Sequence, residues 1–426
     1  MESNPSSAKP KAQYQGIGRN MQRDLVAKWY DELTHAEERH EPVAYLFVMG
    51  SLGELLTTLG FHAVYPDINA VQAGAKKVSL ENIVRAEDLG YSADVCGYVK
   101  NDIGMTVNDF QHPMGKIPRP SLLLCNFSGC ATYVKWFEQL QTLLGARLVM
   151  LDIPCARPVE AHDVKYVTRQ LEELIAVGEE IGGRKFDIDH LREIEGRSNE
   201  AIDGWVRVLQ AARTVPSPYD AFSEGVAFMA PLNVLRGTPE CADYYRALNL
   251  ELQERIALGI TPLPQERFRV VLDGTPCWPA LRTFSALFQR WGAVFVSATY
   301  TKVGGIFDFG FRFDTSRPLE TLAEFLLYHQ FGNLDLQGRY NLLERYYDDY
   351  QADGFVFHAV KSCRLFSMGM GDTREFFLRR RGIPTLLIES DLVDPRYFSE
   401  AQLRNRIDAF FETLEQRKYY QAPVTA

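Results

Sequence analysis

The sequence predicts an α/β protein: two doubly wound, Rossmann-like parallel-sheet domains with a helical middle segment. Three observations predict it. Short apolar runs, such as Leu122-Leu123-Leu124 and Ala293 to Ala298, read as strands buried on both faces, as in a parallel sheet. These runs give way to polar or glycine-containing loops and then to stretches with apolar residues at helical spacing. The alternation fills the first and last thirds of the 426 residues and is missing from the middle. A chain of this length forms two or three domains. They are expected at 20–157, 158–262 and 263–426, behind a polar, flexible N-terminal arm over 1–19.

In chain order, 23–39 reads as a charged helix. Ala44 to Val48 follows as a buried strand, and Leu52 to Leu56 opens a helix at its end, which puts Glu54 near that edge of the sheet. Residues 67–91 carry a helical pattern through Ile83, Ala86 and Leu89. Gly97, in the loop after it, permits close approach of the backbone to a bulky group. The strand at Leu122 leads through Asn126 to Gly129 into a helix with Val134, Phe137, Leu140 and Leu144 on one face. Arg147 to Ile153 is the next strand. The middle third is helical, with Val164, Val167, Leu171, Leu174 and Ile181 in step, then a helix capped by Asp187, then 239–257. Strands return at Arg269 to Leu272, Ala293 to Ala298, Gly354 to Val360 and Thr385 to Ile388, with helices between them, notably at 319–328 and 402–414.

Composition excludes several function classes. The formal charge of −9 argues against a broad nucleic-acid surface, and no apolar run is long enough to span a bilayer. The N-terminal stretch has no apolar signal region, so the cytoplasm is expected. No G-x-G-x-x-G, G-x-x-x-x-G-K-[ST], H-E-x-x-H or G-x-S-x-G motif occurs, which removes the usual dinucleotide, ATP, metalloprotease and esterase readings.

Seven cysteines remain, an odd number without any C-x-x-C, so neither a disulfide framework nor a local metal knuckle is expected. Position singles out three. Cys130 and Cys363 each follow an apolar strand and precede a helix, and Cys96 sits in a loop beside Gly97. If the α/β domains face each other, these loops meet in a cleft beyond the strand ends, where open sheets bind ligands. Three thiolates suit an iron–sulfur cluster with one open iron. Cys125 lies inside a strand and reads as core, Cys155 and Cys241 have no such placement, and Cys277 at a strand end is the competitor. Glu54 is the candidate catalytic carboxylate, and His62, Tyr300 and Lys302 are further candidate proton donors from their loops.

Several longer stretches carry a resemblance. They are Asp94-Val95-Cys96 with Tyr98-Val99-Lys100 and Asp102 to Met105; Gly129-Cys130 with Thr132 to Glu138; Tyr300 to Gly305; Tyr350 to Gly354; Lys361-Ser362-Cys363; and Glu389 to Phe398. Across them the chain resembles the cluster-carrying subunits of the 2-hydroxyacyl-CoA dehydratase family, and within it the ATP-dependent benzoyl-CoA reductase branch. The resemblance implies a [4Fe–4S]-type cluster held by the positions matching Cys96, Cys130 and Cys363. It implies a homologous cluster-carrying partner, ATP-binding activator-like subunits with a further cluster, and ferredoxin as donor. The implied reaction is two-electron reduction of the ring of benzoyl-CoA to a cyclohexadienoyl-CoA. The alternatives are a 2-hydroxyacyl-CoA dehydratase subunit and a cluster-bearing electron-transfer protein.

Overall fold

A computed structural model of the chain describes residues 16–127, 129–155, 158–302, 307–328 and 335–421. Among the described residues, eight strands form two four-stranded, all-parallel sheets. The first contains β1 (Val43–Tyr45), β2 (His62–Val64), β3 (Leu122–Phe127) and β4 (Arg147–Asp152), in the order β2-β1-β3-β4. The second contains β5 (Phe268–Gly274), β6 (Ala293–Ala298), β7 (Gly354–Val360) and β8 (Thr385–Ser390), in the order β6-β5-β7-β8. The two orders are the same winding. Each reverses beside its first strand, which opens a crevice at the strand ends.

Around the first sheet lie α1 (Ile17–Ala36), α2 (Gly53–Thr58), α3 (Pro66–Ala75), α4 (Ser79–Asp88), α5 (Gly97–Val107) and α6 (Ala131–Leu144). The connecting segment holds α7 (Ala161–Gly182), α8 (Ile188–Ala211), α9 (Gly225–Leu235) and α10 (Pro239–Ala257). The last part of the chain holds α11 (Leu281–Gln289), α12 (Pro318–Tyr328), α13 (Leu336–Asp349), α14 (Arg364–Ser367), α15 (Met370–Arg380) and α16 (Glu400–Gln421), of which α12 packs on α7 and α8 of the connecting segment. One apolar core runs from the first sheet through α7–α10 to the second sheet, and a smaller one, rich in Phe, packs α11 and α16 on β5 and β6. No described helix is long and apolar enough to cross a membrane.

The departures from expectation have local causes. The first helix starts at Ile17, inside the expected arm, because the buried Glu251 accepts the Gly18 N–H at 2.6 Å. The expected helix over 67–91 breaks in two at Lys77, whose φ of 64° takes the chain out of the helical region. Gly97 opens α5 rather than lying in a loop. Asp187 does cap α8, accepting the N–H groups of Asp189 and His190.

Helices α4 and α5 cross so closely that a methyl group on Gly104 would lie 1.9 Å from the carbonyl oxygen of Asn82. Backbone cannot give way there as a side chain would. Gly104→Ala is therefore expected to destabilise the protein by roughly 1–3 kcal/mol or more, read as a lower midpoint in chemical denaturation.

Candidate active site

Each cysteine that position singled out is the residue immediately before a helix: Cys96 before α5, Cys130 before α6 and Cys363 before α14. For Cys130 and Cys363 the reason is the doubly wound topology, in which the chain leaves the carboxyl end of a strand and turns into a helix; Cys96 lies instead in the turn between α4 and α5. All three line one cavity of about 1030 Å³. Its walls come from both halves of the chain, with Asp273 from the end of β5, Leu336, Arg339 and Leu342 from α13, and Leu365 and Phe366 beside Cys363.

The thiols sense one another. Burial pushes the Cys96 thiol well above its ordinary range, and the proximity of Cys363 adds to the shift. Burial likewise pushes Cys363 up to about 11; the N–H of Phe366 opposes this, and Cys130 and Asp391 reinforce it. In the metal-free chain the Cys96 and Cys363 thiols keep their protons at neutral pH, so a metal centre has to displace them. Among the described residues no three His, Cys, Asp or Glu side chains close on the position of a single ion. Three soft donors spread around a cavity suit instead a group that has its own width, such as an iron–sulfur cluster.

The other cysteines lie elsewhere. Cys125 is buried in β3 and Cys241 is buried with its thiol toward the Pro231 carbonyl. Cys155 is exposed. Cys277, the competitor, is buried, pushed up to about 11 by burial against a hydrogen bond from Ser390, and does not line the cavity.

Glu54 follows β1 and Cys130 follows β3, which are parallel neighbours, so both lie beyond the same edge of the sheet, but Glu54 does not line the cavity. Its side chain is 0 % exposed and points to the helical segment, where Arg236 donates Nε to Oε1 at 2.5 Å and Nη2 to Oε2 at 3.1 Å, and Ser198 donates at 2.8 Å. His62 on β2 lies 2.8 Å from Glu41, and Tyr300 packs edge-on against Trp278. The side chain of Lys302 and the stretch 303–305 lie outside the described residues.

Sequence reasoning missed Arg339. It lines the cavity with its guanidinium on Asp273 (Nη2 at 2.6 Å, Nε at 3.0 Å), and Thr299 holds the other carboxylate oxygen. Asp273 stood in a recognisable strand-end loop, but its partner is 66 residues away in α13, a helix with no comparable signal in the sequence.

Near Glu54, Glu195 on α8 is buried, and neither carboxyl oxygen meets a hydrogen-bond donor among the described residues. Burial, then the charges of Glu54 and Asp314, push it up to about 9. Between its ordinary value near 4.5 and about 9 the folded chain holds a proton that the unfolded chain has lost. Stability contributed by this group therefore falls as pH rises through that window, by at most about 1.4 kcal/mol per pH unit. Glu195→Gln is expected to raise the urea midpoint at pH 8 relative to wild type more than at pH 5.

Residues 53–414 match the model of the 2-hydroxyglutaryl-CoA dehydratase D-component family. The chain belongs to this family. It is 41% identical over 408 residues to a benzoyl-CoA reductase subunit from Thauera aromatica, covering 93% of this chain and 94% of that one. It is 29% identical to the (R)-phenyllactyl-CoA dehydratase alpha subunit from Clostridium sporogenes, with 93% and 95% covered. To the alpha subunit of (R)-2-hydroxyglutaryl-CoA dehydratase from Acidaminococcus fermentans it is 25% identical, with 92% and 96% covered. Together these matches make the chain an oxidoreductase enzyme subunit.

Proposed function

We propose that the chain is an iron–sulfur active-site subunit of a benzoyl-CoA reductase, and that Cys96, Cys130 and Cys363 hold a [4Fe–4S]-type cluster. The reaction is ATP-coupled, two-electron dearomatisation of benzoyl-CoA to a cyclohexadienoyl-CoA with electrons from ferredoxin. A homologous cluster-carrying subunit and ATP-binding subunits complete the assembly, and the cytoplasm suits its seven unpaired thiols. The observation that carries the proposal is that three cysteines far apart in sequence line one cavity. The 41% identity to a benzoyl-CoA reductase subunit favours the reductase over the dehydratase reading.

A bound cluster supplies low-potential electrons one at a time. The chain's own part is to present three thiolates once their protons have left, and to shape the space beside them. Leu336, Leu342, Leu365 and Phe366 give that space an apolar wall, which limits water where electrons would otherwise be lost. The Asp273–Arg339 pair fixes one cation on the same wall in a defined orientation.

The test uses the complete complex purified without oxygen. Iron and sulfide are measured, and turnover is compared between benzoyl-CoA and a 2-hydroxyacyl-CoA, with ATP and reduced ferredoxin supplied. Ring reduction with iron present supports the proposal. Dehydration alone transfers the chain to the dehydratase reading, and a protein without iron overturns the cluster assignment.

A further inference from the structure

The stretch Glu389 to Phe398 figures in the resemblance yet contributes no residue to the cavity wall. It begins with the last two residues of β8, at the carboxyl edge of the second sheet, and reaches across to α4 and α5, the helices on either side of Cys96. Ser79 at the start of α4 donates to the Val393 carbonyl at 2.6 Å. Arg396 pairs with Asp394 and with Glu87 of α4, and Glu87 in turn holds the buried Lys100 of α5 at 2.8 Å. Among the described residues Arg396 makes no ion pair with Asp391.

Asp391 does something else. It is 0 % exposed, and three backbone N–H groups converge on its carboxylate: Ser362 on Oδ2 at 3.1 Å, and Val393 and Asp394 on Oδ1 at 3.3 Å each. Ser362 precedes Cys363, and its hydroxyl accepts the N–H of Gly97, which follows Cys96, at 3.2 Å. The loop bearing Cys96 is thus tied to the loop bearing Cys363 through one serine, and that serine is anchored by one carboxylate. Gly97 is required for the arrangement, since a methyl group there would sit 2.7 Å from Asp391 Oδ1.

We propose that Asp391 is the positioning residue that sets the spacing of Cys96 and Cys363, and that its fixed negative charge behind them drives the centre they hold to a more negative potential. The inference rests on these cysteines binding a cluster. A carboxylate close to a redox centre opposes each added electron, and poor solvent screening in a buried site lets the effect survive. The carboxylate is one hydrogen bond from the residue before Cys363, and that residue is one hydrogen bond from the residue after Cys96, so the charge sits beside both loops. Three N–H donors hold the carboxylate still, so the charge and the loop spacing come from one residue.

The experiment compares wild type, Asp391→Asn and Ser362→Ala in the complex purified without oxygen, by iron and sulfide content and by EPR-monitored redox titration. Amide hydrogen exchange is measured on the iron-stripped full chain. Asp391→Asn is expected to retain iron, to titrate at a more positive potential, and to exchange the Ser362 amide about tenfold faster. Ser362→Ala keeps the charge and is expected to leave the potential in place while the Gly97 amide exchanges about tenfold faster. An Asp391→Asn protein with wild-type potential and wild-type Ser362 exchange overturns the inference. If that variant does not fold, unchanged Gly97 exchange in Ser362→Ala overturns the tie between the loops. Wild-type protein without iron refutes the cluster reading instead and takes the charge role with it, while exchange alone then decides the tie.

Discussion

Replacing Cys96, Cys130 or Cys363 by Ser is expected to strip the anaerobically purified protein of most of its iron and sulfide, a loss of severalfold for each. A serine hydroxyl is a hard donor that does not ionise near neutral pH, so it does not replace a thiolate on a soft metal centre. With three protein ligands, each change removes a third of the anchoring and leaves a polar gap in the cavity wall. The matched controls are Cys125→Ser and Cys241→Ser, both buried away from the cavity, which are expected to cost stability and retain iron. Cys277→Ser is the sharper control, because Cys277 also follows a strand end. Its thiol is directed to Ser390 and does not reach the cavity wall. Iron loss in Cys277→Ser with iron retained in Cys96→Ser would falsify the ligand assignment.

The second large effect belongs to the pair Glu54–Arg236. Arg236→Met or Glu54→Gln is expected to destabilise the metal-free chain by roughly 3–5 kcal/mol, because each leaves one buried group without its charged partner. Arg236 is 6 % exposed, and its guanidinium also lies over the rings of Phe325 at 5.2 Å, Phe307 at 5.6 Å and Phe313 at 6.0 Å. Replacing both partners together is expected to cost less than the two single changes summed, since neither charge is then stranded. Denaturation midpoints of the two single variants and the double variant measure this. The same variants separate two roles for Glu54. As a structural partner, Glu54→Gln lowers stability and leaves turnover per folded, iron-loaded molecule unchanged; as a catalytic group, it lowers that turnover.

Much of this was legible along the chain because it depends on near neighbours. A run such as Leu122-Leu123-Leu124 has to be buried on both faces, and Cys130 six residues after Leu124 has to fall at the strand-to-helix turn. The spacing of Val164, Val167, Leu171 and Leu174 likewise makes a helix wherever the segment is placed. Distance hid the rest. Glu251 starts α1 from 233 residues away, Arg236 captures Glu54 from 182, and Ser362 meets Gly97 across 265.

By itself, then, the order of residues determined the α/β class, most of the strands and the three cysteines worth following, since apolar periodicity and the strand-to-helix turn are local properties of the backbone. Only the tertiary structure decided that those cysteines share one cavity, that Glu54 is committed to an ion pair outside it, and that Asp391 anchors the loops that carry two of the thiols. These facts depend on how two sheets pack together, and packing joins residues whose separation in sequence carries no trace of their separation in space.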